Sequence, residues 1–391
     1  MKIVIVTPIL YDATSPFNHL MHDILQGLLD AGHEVVRIIA TDGSDDEGYK
    51  LGLDGITYIP VVRKPSGKAN IIRRYLNDTI TTWRMARVLK KVKADVLFED
   101  VCYSSYWSVR AARKRMQVVS MLQDVWPDNA VQSGLIGEGS LIYRYFEFWQ
   151  KKVYKHSDRI VCISEDIKRF IADKGVSRDK MSVIYNWGYS DDTVNIPWDE
   201  NPFVEQNALS KNVFYAVYAG NIGRMQNVEL IVRAAERLCE NDTIRFLLIG
   251  DGVKADEIRE QVQGLPNVTM LPLQPSELAT SIYCAAGVNL IPLVKGGVKT
   301  ALPSKTGVVL SCGRPTVFCF GEDTLFAEMV HDCEAGGCVS AEDPAELAEV
   351  IRLLSEKPKG IVKGAYTLFE KQFTKQHNVQ RYVDVITANG G

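Results

Sequence analysis

The sequence is short of several features that would have fixed its class at a glance. No run approaches the ~20 consecutive apolar residues that a membrane-spanning helix needs. The opening segment Lys2–Thr7 stops at Pro8, too soon for a signal-peptide core, and reads as a first buried strand. Cys-x-x-Cys is missing: the eight cysteines are scattered, several inside strand-like runs such as Val161-Cys162-Ile163 and Phe318-Cys319-Phe320. That usage implies buried, reduced thiols in a cytosolic protein and excludes a disulfide scaffold or a zinc ribbon. The six histidines form no His-x-x-x-His and there is no Asp-x-Asp, so no metal site and no cofactor are expected. Charge of one sign is also lacking. Lys and Arg number 45 against 48 Asp and Glu, a net charge of −3, which argues against nucleic acid as a partner. No Gly-x-Gly-x-x-Gly follows the first strand, which removes the usual warrant for a nicotinamide-dependent oxidoreductase.

What is present is the composition of an ordinary globular protein, 46% apolar and 24% charged over 391 residues, enough for two cores rather than one. The first half alternates apolar runs with helical spacing. Lys2–Thr7, Glu34–Ala40, Gly55–Pro60, Asp95–Phe98, Val118–Leu122 and Arg159–Ile163 read as strands, with helices such as Phe17–Ala31, a segment near Asn70–Lys93, and Leu141–His156 between them. Tyr189–Lys211 breaks the rhythm with Asp191, Asp192, Asn195, Pro197, Asp199, Asn201 and Pro202. The rhythm then restarts at Val213–Ala219. Strands alternating with helices predict doubly wound parallel sheets. The expectation is therefore an N-terminal Rossmann-like domain over 1–190, a linker over 191–211, a second Rossmann-like domain over 212–374, and a C-terminal helix, 375–391, that returns to the first. Ligand loops should lie at the carboxyl ends of the strands, facing a central cleft.

Several ordered patterns carry a resemblance. Gly32-His33-Glu34-Val35, then Ile163-Ser164-Glu165-Asp166-Ile167, Lys174-Gly175-Val176 and Lys180-Met181-Ser182-Val183-Ile184-Tyr185-Asn186 mark the first half. Ala219-Gly220-Asn221-Ile222-Gly223-Arg224, Leu248-Ile249-Gly250-Asp251-Gly252, Pro303-Ser304-Lys305 and Gly313-Arg314-Pro315 mark the second. Together they resemble glycosyltransferase family 4, a retaining group with the GT-B fold, and in particular its bacterial surface-polysaccharide transferases. Three departures stand out. Many family members carry two glutamates eight residues apart where this chain has Thr300 and Val308; a usual Lys is Gln226; and a common His is Gln123, before Asp124.

The resemblance implies transfer of a sugar from a nucleotide diphosphate, UDP-linked, to a sugar or lipid-linked sugar acceptor, acting in the cytoplasm or at the inner face of its membrane. A departing diphosphate needs backbone N–H groups and fixed cations, each contact being worth ~3–4 kcal/mol by analogy with oxyanion donors. Arg224 and Lys305 are the candidate catalytic cations, with Gly220, Asn221, Gly223, Gly250, Asp251, Leu273, Lys299, Ser304 and Thr306 as donor contacts. Thr306 is expected to open a helix to Cys312. In the first domain Asp124 is the candidate to orient or deprotonate an acceptor hydroxyl, and Trp126, Asp128 and His19 are candidate acceptor contacts. The bland alternatives are connecting turns, surface cations and a helix cap beside a buried Trp. From Arg63 to Lys93 ten basic residues face one acid, Asp78, among Ile71, Tyr75, Ile80 and Trp83, a pattern suited to anionic lipid. Tyr143, Tyr145, Phe146, Phe148 and Trp149 form a second aromatic cluster. Two rival functions fit the same residues: a GT-B epimerase acting on the nucleotide-sugar alone, and a silent nucleotide-sugar-binding protein.

Overall fold

The computed structural model describes residues 1–8, 17–43, 48–64, 71–357 and 360–388, the side chains of 71–74 excepted. The chain divides into two compact units. The first comprises Met1–Asp128, Ile136–Asn186 and Gln376–Gly391, and the second Asn129–Leu135 and Trp187–Lys375.

The first unit holds β1 (Lys2–Thr7), β2 (Glu34–Thr41), β3 (Ile56–Val62), β4 (Val96–Asp100), β5 (Gln117–Leu122), β6 (Arg159–Cys162) and β7 (Met181–Val183). They form one sheet in the order β3-β2-β1-β4-β5-β6-β7, and every pair is parallel. Apolar runs without alternation are what such a sheet requires, because helices cover both faces. On one face Val4, Val6, Leu97 and Val118 meet Met85 and Leu89 of the helix Ile71–Leu89, Val109 of Tyr106–Ala112 and Val153 of Leu141–His156. The C-terminal helix Lys375–Thr387 belongs to this unit. Asn378 Nδ2 donates to Tyr185 O at 3.1 Å, and Arg159 Nη1 to Val385 O at 2.8 Å.

The second unit holds β8 (Phe214–Ala219), β9 (Ile244–Ile249), β10 (Val268–Leu271), β11 (Val288–Pro292), β12 (Thr316–Cys319) and β13 (Gly337–Cys338), parallel in the order β10-β9-β8-β11-β12-β13. In both sheets the chain winds outward from a central first strand and then jumps back. The switch falls between β1 and β4 in one sheet and between β8 and β11 in the other. Such a point leaves a crevice at the strands' carboxyl ends, and that crevice is where ligands bind.

The stretch expected as a linker, 191–211, is folded into the second unit. One of its polar residues, Asn201, serves as a helix cap. Asn201 accepts from Phe203 N at 3.0 Å and Val204 N at 3.3 Å to start the short helix Pro202–Gln206, and its amide donates to Ser281 O at 2.8 Å. Phe203 is wholly buried behind that cap. Polarity that reads as exposure in the sequence here satisfies backbone groups. Asn201→Ala removes three hydrogen bonds from a buried site, so urea unfolding should show a loss of about 2–3 kcal/mol. A loss below about 0.5 kcal/mol would contradict this role.

Candidate functional site

The donor-side loops are built on two glycines. Gly220 follows β8 at φ +145° and Gly250 follows β9 at φ +148°, values that favour glycine. A Cβ on Gly250 would stand 1.8 Å from the Gly220 carbonyl oxygen. One on Gly220 would stand 3.0 Å from Lys305 Nζ. The two strand ends thus close on each other, and an ammonium group reaches the backbone between them.

Lys305 Nζ donates to Ala219 O at 2.8 Å and sits 3.8 Å from the centroid of the Tyr218 ring. Among the described residues no carboxylate pairs with it. Burial therefore pushes its ammonium down to about 7, from an ordinary 10.5. A group so placed gains charge when an anion arrives.

Around it, Ile222 N donates to Asp251 O at 2.8 Å, and Asp251 Oδ1 accepts from Gly252 N at 2.8 Å, so that carboxylate shapes its own turn. Asn221 Nδ2 reaches Gln226 Oε1 at 3.3 Å across Gly223, where a Cβ would stand 2.6 Å from either atom. Arg224 is exposed, and its guanidinium has no hydrogen bond or ion pair among the described residues. Lys299 ends the turn Gly297–Lys299, half-buried. Ser304 is exposed, whereas the buried Thr306 spends its hydroxyl on Pro303 O at 2.7 Å. The helix it opens ends at Ser311, one residue before the expected Cys312. Leu273, two residues beyond β10, is 59% exposed, and Val253, which follows Gly252 beyond β9, is 80% exposed.

Positions 300 and 308, where a carboxylate pair is common in the family it resembles, are closed. Val308 lies in the core and Thr300 is wholly buried. The Thr300 hydroxyl hydrogen-bonds Gln132 Oε1, while Gln132 Nε2 donates to Gly296 O at 2.8 Å. Gln132 belongs to 129–135, the segment that folds with the second unit and fastens the 296–300 turn carrying Lys299. Sequence reasoning missed it, since no local pattern distinguishes one Gln in a short helix. Tyr218 was missed because it reads as a strand residue.

In the first unit Asp124 follows β5 with its side chain at the surface, yet crowding by protein lifts its carboxyl to about 6. Two acids at the end of β4 went unmarked in the sequence. Burial raises Asp100 to about 7, with Asp124 adding repulsion and the buried Arg37 opposing it. Glu99 accepts from Ser108 Oγ at 2.8 Å and is pushed well above the carboxylate range by burial. Trp126 is packed among Tyr103 at 5.7 Å and Phe146 at 5.3 Å, and its indole N–H is buried without a partner among the described residues. Asp128 is committed elsewhere. Lys174 Nζ donates to both of its oxygens at 2.7 Å, and Tyr143 OH donates to Oδ1 at 2.9 Å. The ion pair ties the loop to the end of the helix Glu165–Asp173 and the Tyr143 hydrogen bond ties it to Leu141–His156, so Asp128 holds the loop in place. His19 lies half-buried in the first turn of Phe17–Asp30, and the preceding 12–16 fall outside the described residues.

Two doubly wound parallel sheets, the second with a glycine–lysine loop at its switch point, are the architecture of a GT-B protein. Residues 18–187 match the model "Glycosyltransferase Family 4" and residues 214–357 the model "Glycosyl transferases group 1". The chain belongs to this glycosyltransferase family. WbjE of Pseudomonas aeruginosa, named as a glycosyltransferase, is 26% identical over 244 residues, 61% of this chain and 60% of WbjE. WcaI of Escherichia coli K12, whose name places it in colanic acid biosynthesis, is 24% identical over 280 residues, 69% of this chain and 67% of WcaI. The chain thus aligns with about three fifths of WbjE's length. The structure of Anabaena Alr3699/HepE with UDP and glucose shares the fold at a TM-score of 0.73 and 14% identity, covering 100% of both chains.

Gly250→Ala tests the close approach of the two loops. A Cβ overlapping the Gly220 carbonyl in a left-handed backbone should cost about 2–4 kcal/mol in denaturant unfolding. Unchanged stability would refute the approach as a constraint.

Proposed function

We propose that the chain transfers a glycosyl group, with retention at the anomeric carbon, from a UDP-linked sugar to a sugar or lipid-linked sugar during bacterial surface-polysaccharide synthesis. The observation that carries the reading is the Lys305 ammonium, held against Ala219 O beside Gly220 without a counter-charge. Arg224 supplies a second, unpaired cation. The β-phosphate binds between them and the Gly220–Gly223 backbone, and the base lies over the apolar pair Val253 and Leu273. UDP in HepE and the names of WbjE and WcaI support this class of donor and pathway.

In the reaction the bond from the anomeric carbon to the β-phosphate oxygen breaks as the acceptor oxygen bonds the same carbon. The acceptor proton passes to the leaving diphosphate, whose charge Arg224 and Lys305 hold. Asp124 orients the acceptor hydroxyl. No carboxylate at 300 or 308 is needed. Those closed positions also favour a second reading, a protein that binds nucleotide-sugar without turnover, which tight donor binding and no product on any acceptor would establish.

Arg224→Ala and Lys305→Ala should each lower donor turnover by about 10²–10³-fold. Asp124→Asn should lower transfer while sparing UDP affinity. Near-normal turnover in both cation variants would sink the assignment.

The depressed Lys305 value also gives a pH signature. Above about pH 7 the free side chain is in part the neutral amine, and a bound diphosphate restores the charged form. UDP binding should therefore take up a fraction of a proton that grows as the pH rises past about 7, read by calorimetry in buffers of different ionisation enthalpy. Lys305→Gln should abolish the uptake; uptake persisting in that variant would assign it to another group.

A further inference from the structure

Of the fourteen large hydrophobic side chains exposed among the described residues, seven lie on just two helices. Leu76, Ile80 and Trp83 belong to Ile71–Leu89, and Leu141, Ile142, Tyr145 and Phe148 to Leu141–His156. Both helices pack on the same face of the seven-stranded sheet, through Met85, Leu89 and Val153. They meet at Tyr75, whose ring lies 4.9 Å from Phe146 and 6.3 Å from Tyr145.

The two stripes share one design. Leu76, Ile80, Trp83 and Arg87 are spaced 4, 3 and 4 residues apart, and so are Leu141, Tyr145, Phe148 and Lys152. Each stripe therefore keeps to one helix face and ends in a cation. Each cation stands over the aromatic ring one turn before it, Arg87 at 4.9 Å from the Trp83 centroid and Lys152 at 5.2 Å from that of Phe148. Arg84, Arg144, Lys151 and Lys155 are exposed alongside. The acids of these helices are neutralised within the protein: Asp78 by Arg63, and Glu147 by Lys151 and Lys174. What faces outward is apolar and aromatic, rimmed by cations of which Lys151 alone pairs with a carboxylate among the described residues.

We propose that this double stripe is the surface by which the protein lies on an anionic lipid bilayer, with the apolar side chains at the headgroup–acyl boundary and the cations on lipid phosphates. The charge decides the occupant. A second copy of the chain would set cations against cations across a two-fold contact, whereas an anionic leaflet complements them. The segments are interfacial, since no described helix is long and apolar enough to cross a membrane. The surface extends the reading of a lipid-linked acceptor, because Phe146 packs both Tyr75 of the stripe helix and Trp126 of the Asp124 loop. The acceptor loop is therefore built directly onto the docking face.

The test is sedimentation of the full chain with vesicles of phosphatidylglycerol and phosphatidylethanolamine, against vesicles of phosphatidylcholine. The wild type should bind the anionic vesicles and release with rising salt. Leu141→Glu with Phe148→Glu should reduce partitioning more than about tenfold. Arg84→Gln with Arg87→Gln should reduce it by about fivefold per charge and flatten the salt dependence. A UDP-induced rise in melting temperature reports that each variant is folded. No binding of wild type to anionic vesicles, or binding unchanged in Leu141→Glu with Phe148→Glu, would overturn the proposal. So would a dimer in sedimentation velocity that these substitutions dissociate without any vesicle binding. Each of these failures leaves donor turnover intact, whereas failure of the functional reading removes turnover whether or not vesicles are bound.

Discussion

The loops of the second unit depend on one constraint, the packing of a lysine ammonium against the carbonyl end of β8. Desolvation opposes the charge, a single carbonyl and an aromatic face offset part of the cost, and no carboxylate completes the pair. The glycines at 220 and 250 follow from this. Any side chain at 220 would crowd Nζ, and any at 250 would push the two loops apart. On the proposed function, the same unmet charge is what a diphosphate would complete, the ligand supplying what the fold withholds.

The first unit is organised on a different principle. Its strand ends collect carboxyl groups whose burial lifts them toward neutrality, with Glu99 and Asp100 inside and Asp124 at the surface. The loop bearing Asp124 is fixed on both flanks, by the Trp126 cluster and by the Asp128–Lys174 ion pair. Truncating one partner of so enclosed a pair leaves the other charge uncompensated. Asp128 is thus better understood as a fastening for the loop than as a group awaiting a sugar.

The sheets were legible in the sequence because parallel strands covered on both faces leave unbroken apolar runs, as in Lys2–Thr7 and Val213–Ala219. The family was legible because its motifs fall at those strand ends in order. Less was legible wherever polarity served the interior. Asn201 reads as linker and is a buried cap; Glu99 and Asp100 carry no mark in the sequence and are enclosed acids. Tyr218 reads as core, and its ring face is what Lys305 rests on. These roles are set by partners distant in sequence, such as Ser281 for Asn201 and Ser108 for Glu99, and no local pattern encodes them.

The closed positions 300 and 308 have a consequence for substitution. A glutamate at 300 would displace the hydroxyl that meets Gln132, and one at 308 would lie buried among core side chains with no cation supplied. A carboxylate at either position is therefore a loss taken alone, and at 300 only a paired change at Gln132 would ease it. The clamp makes the 296–300 turn and the 129–135 segment a single mechanical piece, so that a change at one is felt at the other.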